Sequence, residues 1–225
     1  MTTVIKRIPY KLDINQLKKS LMINNQPDEE TLIQMVTELD MIANLKAIYR
    51  EGYITEKSED YIVIDNQKLS SRILRKNITD ANRVFIYIIT VGREIQDWAD
   101  GKNNILESFW ADEIQKMLLD SAVDFIYAKL DQLIGSEIVS EMNPGSLRDW
   151  PIQEQSKIFS LLGDVENEIG VKLTDSFLML PAKTVSGIRF STKSEFKNCQ
   201  LCQRDNCPGR RTPFDQELMD RINSI

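Results

Sequence analysis

Residues 83–92 read RVFIYIITVG, a run of β-branched and aromatic residues with few polar interruptions. A strand with one solvated face alternates apolar and polar side chains; a strand covered on both faces reads as a nearly continuous apolar run. This stretch is of the second kind and predicts a buried central strand. Downstream, Gly92 opens a helical block that runs through Trp98, stops at Gly101, restarts at Asn104 and continues to about Leu133. Within it Phe109, Ile114, Met117, Leu118, Ala122, Phe125, Ile126 and Leu130 make a wide apolar face that ends at Gly135.

Upstream, Tyr53-Ile54 and Tyr61–Ile64, set between polar turn residues, predict a hairpin, and LSSRILRKN (69–77) a short helix. Pro27 followed by Asp28, Glu29 and Glu30 marks a helix start, since proline suits the first turn and carboxylates the positive end of the dipole. Leu32, Met35, Val36, Leu39, Ile42 and Ala43 then recur at helical spacing. The opening TVIKRIPYKL predicts an edge strand. Past residue 140, where five of the seven prolines fall, the chain turns loop-rich. There IQEQSKIFSLLG and PFDQELMDRINSI read as helices and TVSGIRFST as a strand. With no repeat, low-complexity tract or flexible linker, 1–225 is expected to form a single domain. Its parts are a helix-rich portion at 1–135, a turn and sheet at 136–192, and a cysteine cluster with a closing helix at 193–225.

The 225 residues are 42% hydrophobic and 28% charged, with a net charge of −6, a soluble composition with no basic excess for nucleic acid. No apolar run approaches the ~18 residues of a membrane span. The first residues lack a signal-peptide core, so the expected compartment is the cytoplasm, with no nucleic acid and no membrane as partner. Histidine is absent. That removes histidine bases, Ser-His and Cys-His nucleophile pairs and every histidine-ligated metal.

Four local patterns stand out. ITVGREI (89–95) is a strand, a glycine and a helix start, but a lone glycine lacks the spacing of a phosphate loop. MNPGSLRDWP (142–151) is a tight turn in which Pro144 fixes one backbone angle and Gly145 supplies another. Asn143, Pro144, Gly145 and Ser146 are its candidate ligand-lining residues and Arg148 a candidate anion partner; Trp150 is either a flat ligand surface or a core residue. Asp175, between Thr174 and Ser176, fits local capping better than catalysis.

Finally, all three cysteines, Cys199, Cys202 and Cys207, fall within NCQLCQRDNCPGRR (198–211). Cys-x2-Cys can turn two thiolates onto one metal, and the nearby Arg204, Arg210 and Arg211 favour thiolate. An iron–sulfur cluster or zinc, a redox thiol pair, and no special role all remain open. A metal would need a fourth ligand such as Asp205, water, a small molecule or a partner chain.

Read as a unit, the C-terminal part resembles the activation domain of cobalamin-dependent methionine synthase and its stand-alone relatives. The resemblance rests on Pro144-Gly145, the helix IFSLL, IGVKLTDSFLMLP and TVSGIRFS, in that order, across about 140–192. DWPIQEQ and the cysteine trio look like the smaller stand-alone proteins, and KLSSRILRKN, TVGREI and LLDSAVDFI are fainter echoes of the same group.

The resemblance implies an α+β fold with a twisted, mainly antiparallel sheet and flanking helices. It also implies an accessory role in reductive activation of a corrinoid methyltransferase. Such a chain would act as activation subunit, with S-adenosylmethionine as methyl donor, cobalamin on the partner protein and an external electron donor. An electron carrier holding iron–sulfur or zinc, and a non-catalytic module that docks on a corrinoid protein, are the alternatives. In one place the chain departs from the family's R-x-x-P-G-Y turn: the arginine position falls on Glu141 and the tyrosine position on Ser146.

Overall fold

The computed structural model describes residues 1–136, 138–193, 196–204, 206–207, 210 and 212–223, the last three as backbone only. Its centre is a seven-stranded sheet in which every pairing is antiparallel. The strands are β1 (Thr2–Ile5), β2 (Lys46–Lys57), β3 (Tyr61–Ile64), β4 (Gln67–Ser70), β5 (Arg83–Thr90), β6 (Val139–Met142) and, after a small separate hairpin of β7 (Lys172–Leu173) with β8 (Met179–Leu180), β9 (Thr184–Ser191). Their order is β4-β3-β2-β5-β9-β6. The long β2 carries β1 beside its first half and β3 beside its second, on the edge away from β5.

The stretch 83–92 is the central strand its composition predicts. Its side chains alternate between two cores: Phe85, Tyr87 and Ile89 enter one, Val84, Ile86 and Ile88 the other. Apolar surface removed from water on both faces, at roughly 25 cal/mol per Å2, explains why this strand has no solvated side. The first core is closed by α1 (Ile14–Ser20), α2 (Gln26–Ile42), α4 (Arg93–Asp100) and α5 (Ile105–Ile134), through residues such as Leu17, Leu32, Leu39, Ile95, Ile114 and Leu118. The second is closed by α3 (Arg72–Asn77), α6 (Gln155–Leu162) and α7 (Val165–Ile169), through Ile73, Leu74, Ile158, Leu161, Val165 and Ile169. A final helix, α8 (Gln216–Asn223), sets Leu218 and Met219 against that second core.

Helix boundaries follow local chemistry. Asn25 caps α2 by accepting from the Asp28 amide at 2.9 Å, with Pro27 in the first turn. Asn104 caps α5 in the same manner, and Gly135 ends it in the left-handed region at φ 67°. The portion 1–135 supplies five strands besides its five helices. The hairpin around Tyr53 is longer than its sequence signal because β2 starts at Lys46, and β4, α1 and α7 had no counterpart in the sequence reading. No helix among the described residues is long and apolar enough to cross a membrane.

Candidate functional site

The end of β6 and the turn after it make the site. In the β6–β9 ladder Glu141 faces Arg189 and Met142 faces Ile188. Asn143 then leaves the sheet, and the turn folds back on itself: the Gly145 amide donates to the Trp150 carbonyl at 2.7 Å and the Ser146 amide to the Asn143 carbonyl at 3.2 Å. Gly145 sits at φ 83°, where a side chain would be strained and its Cβ would lie 3.2 Å from that of Ile152. Trp150 is fully buried in the second core. Its indole braces the turn from within and is no ligand surface.

Asn143 is held from three sides. Its amide nitrogen donates to the Tyr87 hydroxyl at 3.0 Å and to the Ser186 carbonyl at 2.7 Å, and its oxygen accepts from the Asn198 amide at 2.9 Å. The Tyr87 and Tyr127 hydroxyls lie 2.5 Å apart. Burial first, and then Tyr127, push the Tyr87 phenol well above its ordinary pKa, so it stays a neutral hydrogen-bonding group. The approach is close because position 187 is glycine. A Cβ there would stand 2.5 Å from the Met142 carbonyl, 2.6 Å from the Asn143 amide nitrogen and 2.8 Å from the Tyr87 hydroxyl.

Glu141 is not a bare charge. Arg189 donates to it at 2.9 Å and to both oxygens of Asp131 at 2.5 and 2.8 Å, while its guanidinium lies 4.0 Å over the Tyr127 ring. Burial works against the charge on Arg189, but Asp131 and then Glu141 outweigh it and raise its pKa.

These groups stand beside a cavity of about 620 Å3, a size suited to a small organic ligand. Asn143, Pro144, Gly145 and Ser146, the turn residues singled out from the sequence, all line it. Its apolar wall comes from Leu119 and Val123 of α5 and from Leu178 and Leu180 of the β7–β8 hairpin; its polar groups include Asp120, Glu141, Gln155 and Lys197. Among the described residues lining it, Lys197 is the one cation.

Two sets of candidate residues lie elsewhere than their neighbours in sequence. Arg148 does not line this cavity; it lines a second one, of about 480 Å3, because the turn reverses at Gly145 and sends residues 147–149 to its other side. Nor do Cys199, Cys202 and Cys207 come together as a metal site. None of the three is in a disulfide, all are half-buried, and among the described residues no group of three cysteine, aspartate or glutamate side chains is placed to hold a metal ion. The reason is local: a short 3-10 turn at Asn198–Gln200 puts Cys199 on the large cavity and Cys202 on the second. Arg210 fixes this turn by donating to the carbonyls of Cys199 and Cys202, both at 3.1 Å. Asp205 and Arg211 lie outside the described residues.

Tyr87, Tyr127, Asp131, Arg189 and Lys197 have no motif in the sequence. Arg189 did leave a trace, as a lone charge inside the apolar strand TVSGIRFS. A charge in that setting is rarely buried without a partner.

Residues 147–210 match the family model for the activation domain of vitamin B12 dependent methionine synthase. No curated protein matches the chain. Among solved structures, the MetH reactivation domain bound to AdoHcy matches with a TM-score of 0.60 at 16% identity, over 88% of this chain and 80% of that one. In the segment after the turn this chain is therefore similar to the vitamin B12 dependent methionine synthase activation domain, and as a whole it has the fold of the MetH reactivation domain.

Proposed function

We propose that this chain is an accessory protein for the reductive activation of a corrinoid-dependent methyltransferase, holding an S-adenosyl compound in the cavity beside Asn143–Ser146. The observation that carries the reading is the position of the cavity: it opens at the turn 143–146, inside a fold shared with a reactivation domain whose structure contains AdoHcy. The matched family segment begins at the next residue, 147. The walls suit such a ligand. Leu119, Val123, Leu178 and Leu180 offer an apolar surface to a nucleoside, and Asn143, Gln155 and Lys197 offer polar contacts at its ends.

Glu141 stands where the family turn has an arginine, and on its own it would repel the ligand's carboxylate. Its pairing with Arg189 removes most of that repulsion, and Lys197 supplies a cation on the same cavity. When bound, S-adenosylmethionine supplies a methyl group to the reduced corrinoid of the partner, an external reductant supplies the electron, and S-adenosylhomocysteine remains. The chain's own residues bind and orient. Leu178 and Leu180 line the cavity yet stay half exposed, so its mouth offers apolar surface to the partner.

The test mixes a corrinoid methyltransferase in its oxidised Co(II) state with reductant, S-adenosylmethionine and this chain. The expected result is conversion to the methyl-cobalt spectrum that depends on the chain and falls at least tenfold with Asn143→Ala. The same rate without the chain sinks the proposal. Glu141 favours a second reading, a docking module with no donor site, which predicts binding to the corrinoid protein and no conversion.

A further inference from the structure

The second cavity is lined by a different set of side chains from the first. It lies behind the ligand turn, and Ser146 lines both cavities. Three arginines from three separate segments line it: Arg72 at the start of α3, Arg148 after the turn and Arg204 after the cysteine turn. All three are exposed, and none makes a side-chain hydrogen bond or ion pair among the described residues.

The carboxylate present, Asp149, is already committed. It accepts from the Ser71 hydroxyl and from the Ile73 amide at 2.9 Å, fixing the first turn of α3. Among the described residues lining it, three unpartnered guanidiniums against one engaged carboxylate make an electropositive concavity on a chain of net charge −6, and concave walls concentrate that potential. A guanidinium presents a planar fork of donors that matches phosphate oxygens, and several forks need an anion with several oxygens. Deeper in, Ile73, Leu147 and Leu201 are buried side chains that wall the same cavity with apolar surface.

We propose that this cavity binds an organic phosphate of about mononucleotide size, its phosphate held by Arg72, Arg148 and Arg204 and its organic body against Ile73, Leu147 and Leu201. The arginine cluster carries this assignment independently of what the larger cavity holds.

Calorimetric titration tests it, with adenosine monophosphate and inorganic phosphate as probes, on the wild type and on Arg148→Gln, Arg204→Gln and the double variant. Adenosine monophosphate is expected to bind more tightly than phosphate, and binding should weaken as salt rises. Each arginine removed should cost about tenfold in affinity, the scale of a charge-assisted hydrogen bond. Circular dichroism should show all variants folded, because glutamine keeps most of the side chain and no partner is lost. Asn143→Ala, which alters the larger cavity, should leave phosphate binding intact. Four results would each overturn the proposal: no binding of adenosine monophosphate, equal affinity for the two probes, binding that survives the double arginine variant, or binding that disappears with Asn143→Ala.

Discussion

Gly187→Ala is expected to destabilise the protein by about 3 kcal/mol, the upper part of the range for overpacking a dense interior, and to abolish ligand binding at the turn. The added methyl carbon would stand 2.5 Å from the Met142 carbonyl, 2.6 Å from the Asn143 amide nitrogen and 2.8 Å from the Tyr87 hydroxyl. None of these yields easily. Met142 is tied into the β6–β9 ladder, Tyr87 is fully buried, and Asn143 is bonded on both ends of its amide. Either the central strands part or Asn143 swings away, and in both cases the cavity loses its polar wall. Gly135→Ala is the control. It meets no atom within 4 Å and carries only the left-handed backbone strain, about 1 kcal/mol. Urea denaturation of both variants separates the two costs. Equal losses would mean that the close approach at Gly187 is not what holds the site.

Arg189→Met carries the second large effect. Arg189 is 8% exposed and bridges Asp131 and Glu141. Removing the cation leaves two carboxylates facing each other beside the Tyr87–Tyr127 pair. Breaking a buried ion pair by deleting one partner costs about 3–5 kcal/mol, and the low end applies because Asp131 reaches solvent. Adding Glu141→Gln to Arg189→Met should restore part of the loss, since the remaining acid can turn to water. Thermal or urea unfolding of the single and double variants measures this. A double variant less stable than Arg189→Met alone would contradict the ion-pair account.

How much of this could be read from the sequence depends on what kind of information fixes each feature. The central strand and the helices α2, α4 and α5 come from local signals: an unbroken apolar run, Pro27 with the acids after it, the restart at Asn104, and the glycines at 101 and 135. The turn 143–146 was legible too, because proline and glycine report backbone geometry directly. The partners of that turn were not. Glu141 meets Arg189, and Asn143 meets Tyr87, only because β6, β9 and β5 lie side by side, and such pairing is non-local. Arg148 and the cysteines are placed away from the turn's cavity or from one another for a related reason. Neighbours in sequence were expected to share a site, yet the reversal at Gly145 and the 3-10 turn at Asn198–Gln200 put adjacent residues on opposite cavities.

The most direct test of the functional account is calorimetric titration of S-adenosylhomocysteine into the wild type and into Ser146→Trp, which adds bulk to the cavity wall and leaves the hydrogen-bonded network of Tyr87, Tyr127 and Asn143 in place. The account predicts saturable one-to-one binding by the wild type and its loss in a folded Ser146→Trp variant. No heat of binding to the wild type across the micromolar to millimolar range, or equal binding by both proteins, would contradict it.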